Sequence, residues 1–118
     1  MCSSDLWSAQ RILGHVAYLA EANDVFFHQM ATMTDPVRRA FPSGYDAPEM
    51  DALPVAVLLQ RIEAALASSV ELLSRTPDAA WGRPGYVRGM RRSLRQMVAY
   101  HAAHFDEHLA EIRRLLAT

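Results

Sequence analysis

An all-α fold, an up-down helical bundle, is predicted for this 118-residue chain by three observations. Three segments of helical length carry apolar residues spaced three and four apart. Each opens on a residue suited to a helix start: Ser8, Pro54 and Ser93. Pro and Gly gather between them, at 35–51 and 77–92. A chain of this length reads as one domain, residues 1–118. Three amphipathic helices of this size imply antiparallel packing around one core.

The first six residues, MCSSDL, back-translate to something resembling a sequencing-adapter oligonucleotide read from a GTG start. Residues 1–6 are therefore expected to be non-native, with natural sequence beginning near Trp7 and whatever preceded it lost. Cys2 would then be foreign as well. The first helix is expected from Ser8 to about Met33. Trp7 and Ile12 would form a hydrophobic staple across its start. Its stripe is Ile12, His15/Val16, Leu19, Ala22, Phe26 and Met30, and Asp35-Pro36 closes it. A loop is expected over 35–51. The second helix starts near Asp51 or Pro54 and continues to about Ser74. Its stripe is Val55, Leu58/Leu59, Ile62, Leu66, Val70 and Leu73. Residues 77–92 are expected to be irregular, with one short helical turn near Asp78–Trp81. Ser93-Leu-Arg-Gln96 matches a capping box. The last helix follows to about Leu116, with a stripe of Leu94, Met97/Val98, His101, Phe105, His108, Ile112 and Leu115.

Composition narrows the function. A net charge of −1 gives no bulk attraction to nucleic acid or to a membrane surface. No apolar run approaches spanning length, and no secretory pattern is present. A single Cys excludes an internal disulfide and fits a reducing, cytoplasmic compartment. All twelve basic residues are Arg, which with the high Ala content suggests a GC-rich, bacterial coding sequence.

The chemistry lies in the run Tyr100-HAAHFDEHLAEI. His101, His104 and His108 fall within about 60° of one another around the last helix. His101 and His108 are two turns apart, roughly 10 Å, and cannot share an ion. The usable pairs are His101/His104 and His104/His108. The second faces the seam marked by Phe105, Ile112 and Leu115 and is favoured. His101 would line the pocket or satisfy itself elsewhere. His15, on the apolar face of the first helix, can supply a third nitrogen if the two helices pack together. Three nitrogens with an open position suit catalysis better than structure alone. The competing reading is a set of partly buried histidines bonded to neighbours. It weakens as their number on one seam rises, because Leu would fill those places without a desolvation cost. His28 lies roughly 220° from His15 and belongs at the surface. His104-Phe-Asp-Glu107-His108 also fits the inverted zinc-protease string H-x-x-E-H, in which Glu107 would be the general base. Those enzymes are far larger and add a distal carboxylate ligand.

With these residues in view, the chain resembles the DinB-like (YfiT-like) metal-binding four-helix-bundle superfamily. Trp7-Ser-Ala-Gln-Arg-Ile-Leu-Gly-His15 is similar to that family's W-S-x-x-x-h-h-x-H entry to its second helix. Asp78-Ala-Ala-Trp81-Gly-Arg83 resembles its D-x-x-W-x-R segment. Ser93-Leu-Arg-Gln-Met97 and His104-Phe-Asp-Glu-His-Leu-Ala-Glu-Ile112 resemble the start and metal-binding stretch of its fourth helix. The match covers nearly everything from Trp7 onward. It implies a four-helix bundle lacking its first helix, with three long helices and a short helical turn. It implies His15, His104 and His108 as ligands to zinc, nickel or a similar divalent ion, with water completing the shell. It implies a metal-dependent enzyme, a hydrolase or a transferase or isomerase using a low-molecular-weight thiol.

On that reading the partner is a small-molecule substrate, and Glu107 is a base or a carboxylate supporting a ligand. Tyr18, Trp81, Tyr86 and Tyr100 would shape the pocket. The alternative is a non-catalytic helical module with a structural or vestigial metal site. The face left by an absent helix would then favour self-association, for instance as a homodimer. Arg83, Arg88, Arg91, Arg92 and Arg95 form a positive cluster. A solvated surface, or recognition of the carboxylates of a small anionic thiol, fits it better than nucleic acid.

Overall fold

A computed structural model of the chain describes residues 8–38 and 48–116. The first long helix, α1, spans Ala9–Thr32. Ser8 caps it as expected, its Oγ accepting the Arg11 amide at 3.2 Å. The staple from Trp7 and the foreign character of 1–6 lie outside the described residues. Every large residue of the expected stripe is buried, but so are Ala17, Tyr18, Ala20, Asn23 and Phe27. The helix is central and is covered on more than one side, so one stripe underestimates its buried face. Its C-terminal carbonyls are met from far along the chain. The Arg83 Nε donates to the Met30 carbonyl at 2.8 Å and its Nη2 to that of Met33 at 2.7 Å.

Residues 35–51 are not all loop. Val37 bridges Tyr86 in parallel, and a short helix, α2, covers Pro48–Asp51. That helix turns Met50 into the core. The next long helix, α3, spans Val55–Arg75, one residue beyond its expected end. The Pro54 carbonyl accepts the first amides, those of Val57 and Leu58. Its inner face is Leu58, Ile62, Ala65, Ser69 and Leu72. Val55, Leu59 and Val70, expected inside, are exposed. The seam with α1 takes small and polar side chains instead. Ser69 donates to Asp24 at 2.8 Å, and Arg61 grips the Glu21 carboxylate with two bonds of 2.8 and 2.6 Å.

The short turn near Asp78–Trp81 is present as a 3-10 helix, Asp78–Gly82. The rest of 77–92 is ordered as a β-hairpin: β1, Pro84–Val87, pairs antiparallel with β2, Met90–Ser93. Arg88 and Gly89 form its two-residue turn with φ of 52° and 76°. Two left-handed residues in succession match the twist of the strands they join. Gly85 is required by packing: a Cβ there would sit 2.7 Å from Phe26 Cζ and 3.1 Å from Met30 Cγ. The hairpin therefore lies directly on α1.

The last helix, α4, spans Leu94–Leu116. Its capping box forms as read: the Gln96 amide donates to Ser93 Oγ at 3.1 Å and the Ser93 amide to Gln96 Oε1 at 2.9 Å. Leu94, Met97, His101, His108 and Ile112 are buried, whereas Leu115 is exposed.

The bundle is all-α at its centre, three long helices plus the short helical turn, and their directions refine the expected packing. One core cluster joins Ile12, Leu58 and Ile112; the other joins Phe26, Leu72 and Leu94. So α1 and α3 run in the same direction and α4 runs against both. The end of α1 and the start of α3 therefore lie at opposite ends of the bundle. Because α4 is antiparallel to α1, His15 meets the C-terminal half of α4. No helix among the described residues is long and apolar enough to cross a membrane.

Candidate metal centre

His15, His104 and His108 converge. Each offers one ring nitrogen, and those nitrogens lie within 4.8 Å of one another. The ring of His15 stands edge-on to that of His108, centroids 5.0 Å apart, and lies 6.3 Å from that of His104. His15 comes from α1 and the other two from α4, so the cluster exists only because those helices pack.

Each ring is held. His108 is 2 % exposed, and its Nδ1 donates to Glu111 Oε1 at 2.9 Å. An imidazole that donates from Nδ1 while neutral carries a lone pair on Nε2. That Nε2 lies 2.9 Å from Nε2 of His104, which must therefore be the donor of the pair. Tyr100 stacks on His104 with centroids 5.7 Å apart. Burial is the largest of the effects that lower the His104 pKa, which favours the neutral ring.

The donor set suits a divalent ion of the zinc type. Three imidazoles, one oriented by a carboxylate, are the ligands and outer support such ions use. A tetrahedral ion about 2.05 Å from each nitrogen separates its ligands by about 3.3 Å. The His104–His108 pair lies just inside that spacing. The widest separation allowed by the 4.8 Å limit has to close by roughly 1.5 Å, within reach of small χ rotations.

Of the residues expected from sequence, His15, His104 and His108 are brought together. Glu107 does not join them. It is exposed on α4 and reaches His104 only as a charge through space. The carboxylate in contact is Glu111, three residues after His108 and on the same helical face. That i, i+3 spacing was the signal available for it. His28 is part-exposed and pairs with Asp24, as a surface residue would. His101 is buried, with Nδ1 3.2 Å from the Asn23 amide nitrogen, so it does satisfy one nitrogen away from the cluster.

Beside the histidines is a cavity of about 350 Å³. His15, His104, His101 and Asn23 all line it. Leu19, Val87, Met90 and Met97 give it apolar walls, and Arg38, Arg88 and Arg92 bring positive charge. Of the four aromatics considered, only Tyr100 lines it; Tyr18 belongs to the core and Trp81 packs against the other core cluster. The arginine cluster divides by task. Arg83 caps α1, Arg95 lies 6.0 Å from the Trp81 ring, and Arg88 and Arg92 face the cavity. Arg38, outside that cluster, is brought in by backbone pairing, its amide donating to the Tyr86 carbonyl at 2.9 Å.

A model of the DinB superfamily matches residues 3–112. Among solved structures the chain is similar to YfiT from Bacillus subtilis, a probable metal-dependent hydrolase with an unusual four-helix bundle topology. The TM-score is 0.83 at 17 % identity, over 92 % of this chain and 65 % of that one. The likeness is one of fold, and the chain spans just under two thirds of that relative's length. No curated protein matches the chain.

Proposed function

The chain belongs to the DinB superfamily, and we propose that it is a divalent-metal-dependent enzyme acting on a small molecule at the His15–His104–His108 centre. The observation that carries this reading is the convergence of three imidazole nitrogens from the first and last long helices within 4.8 Å, beside a cavity of substrate size. Zinc or nickel fits a set of three imidazoles. Such an ion, when bound, supplies Lewis acidity and makes water or a thiol nucleophilic at neutral pH. The reaction is then hydrolysis or transfer to a low-molecular-weight thiol. The likeness to a protein described as a metal-dependent hydrolase supports the first.

The protein's own groups have separable tasks. Glu111 holds the His108 proton on Nδ1, which leaves Nε2 as a donor to the ion. His104 would ligate through Nε2 as its Nδ1–H tautomer, the proton now directed at His108 being carried on Nδ1 instead. His15 closes the set from α1. Tyr100 flanks His104 at the cavity mouth. Glu107 is left the smaller part of a negative charge near His104.

The test is metal analysis of the purified protein beside His104→Ala, followed by thiol-transfer and hydrolase assays on the loaded form. Near-stoichiometric metal in the parent and little in the variant is expected. Equal metal content in both overturns the assignment. A tightly bound ion with no exchangeable water would favour the second reading, a non-catalytic helical module. The exposed Leu59 and Val70 on α3 favour self-association in that case, read by sedimentation.

A further inference from the structure

The histidine outside the metal cluster has a defined protonation pattern, and the pattern has a consequence. Arg38 can only donate, and its Nη1 lies 3.4 Å from Asn23 Oδ1. That contact sets the Asn23 amide so that its nitrogen faces His101. Asn23 Nδ2 lies 3.2 Å from His101 Nδ1 and donates to it. A neutral imidazole accepting at Nδ1 carries its proton on Nε2. His101 is neutral, since burial above all, with the charge of Arg38 adding to it, pushes its pKa down to about 4. So the Arg38–Asn23–His101 relay presents an N–H at His101 Nε2. That atom is fully buried and has no acceptor. His101 itself is 9 % exposed and lines the cavity.

A buried N–H without an acceptor costs free energy that an apolar side chain would avoid. Arg38, Arg88 and Arg92 line the same cavity, and no acidic side chain does so among the described residues. The Arg38 guanidinium is desolvated and lies beside that of Arg88, so an anion between them is favoured twice over. The walls are otherwise apolar, and the volume of about 350 Å³ suits a small organic molecule.

We propose that this cavity binds the carboxylate of a small organic acid, clasped by the Arg38 guanidinium. The acid's apolar body lies against Leu19, Val87, Met90 and Met97. Asn23 is a positioning residue: its Oδ1 accepts from the guanidinium while its amide nitrogen donates to His101, and it need not touch the ligand. The inference deepens the enzymatic reading above by naming the charged end of the substrate, and it rests on that reading only for what happens after binding.

Two measurements test it, both on the full chain. Long-range proton–nitrogen NMR of the imidazoles reads the tautomer directly; an Nε2–H form of His101 is expected, and an Nδ1–H form overturns the relay. The second is titration with benzoate and its neutral isostere benzamide, on zinc-loaded and on chelator-treated protein. Benzoate should bind at least tenfold more tightly in both, with the preference falling below threefold in Arg38→Gln. Should that variant fail to fold, the comparison on the unmodified protein still decides the matter. Equal affinity for the two probes in zinc-loaded protein overturns this proposal and leaves the metal reading standing. A benzoate preference in a protein that takes up no zinc does the reverse. Inorganic phosphate competing as well as benzoate would overturn the carboxylate assignment.

Discussion

Replacing Glu111 by Ala should weaken zinc binding by one to two orders of magnitude without removing any ligand. The Glu111 carboxylate is 15 % exposed and accepts the Nδ1 proton of a histidine that is 2 % exposed, at 2.9 Å. A charge-assisted bond this sheltered is weakly screened by solvent. It fixes the tautomer that leaves Nε2 of His108 free to ligate, and it raises the basicity of that nitrogen. Loss of such an outer carboxylate costs about 10- to 100-fold in metal affinity, or about 1.4–2.8 kcal/mol. Competition between the metal-free protein and a chromophoric chelator measures it. Glu111→Gln should lose less, because its amide oxygen can still accept. Glu107→Gln should lose under threefold, because its carboxylate is exposed and contributes only a distant charge. If Glu111→Ala bound zinc within twofold of the parent, the orienting role would be refuted. A larger loss in Glu107→Gln than in Glu111→Ala would put the supporting carboxylate at the wrong position.

Other substitutions probe the frame around the centre. Gly85→Ala should destabilise the protein by about 1–3 kcal/mol, because the new methyl meets the Phe26 ring 2.7 Å away. Gly82→Ala, with nothing within 4 Å, should change thermal or denaturant midpoints little. Arg83→Met should cost about 2 kcal/mol in denaturant titrations, since it removes two charged donors from carbonyls at the end of α1. Acid should unfold the metal-free protein partly through His101. Its folded pKa of about 4 lies below the ordinary value of 6.5, so the native state binds the proton less well than the unfolded chain. That contribution is complete above pH 6.5 and declines as pH falls towards 4, with about 2 kcal/mol gone by pH 5. The stability–pH slope of His101→Gln should be shallower over that window; an unchanged slope would count against the buried neutral ring.

Local signals in the chain were readable where the chemistry is local. Ser8 and the Ser93–Gln96 box cap their helices because capping involves only neighbouring amides. The converging histidines were legible because His104 and His108 sit one turn apart and His15 lies on an apolar stripe. What depends on distant packing was not. Val55, Leu59 and Val70 carry the apolar period of α3, yet Ala65, Ser69 and Leu72 lie inward, since close approach to α1 selects small side chains. The hairpin was missed because Arg rather than Asn or Asp occupies the first left-handed turn position. Asn23 and Arg38 gained meaning only when the crossover segment paired with Tyr86 and set one above the other. Glu107 was singled out on the strength of a short string, whereas the helical spacing to His108 favours Glu111.

The clustered imidazoles belong to the long helices α1 and α4, whereas Val87, Arg88, Met90 and Arg92 of the cavity lining belong to a small ribbon closed by two residues. Loops and their supports are separable parts of a scaffold. Lengthening that ribbon, or exchanging its inward residues, would reshape what the cavity accepts while the reacting centre keeps its geometry. An engineer wanting a new specificity from this fold would start at residues 87–92 and leave α1 and α4 untouched.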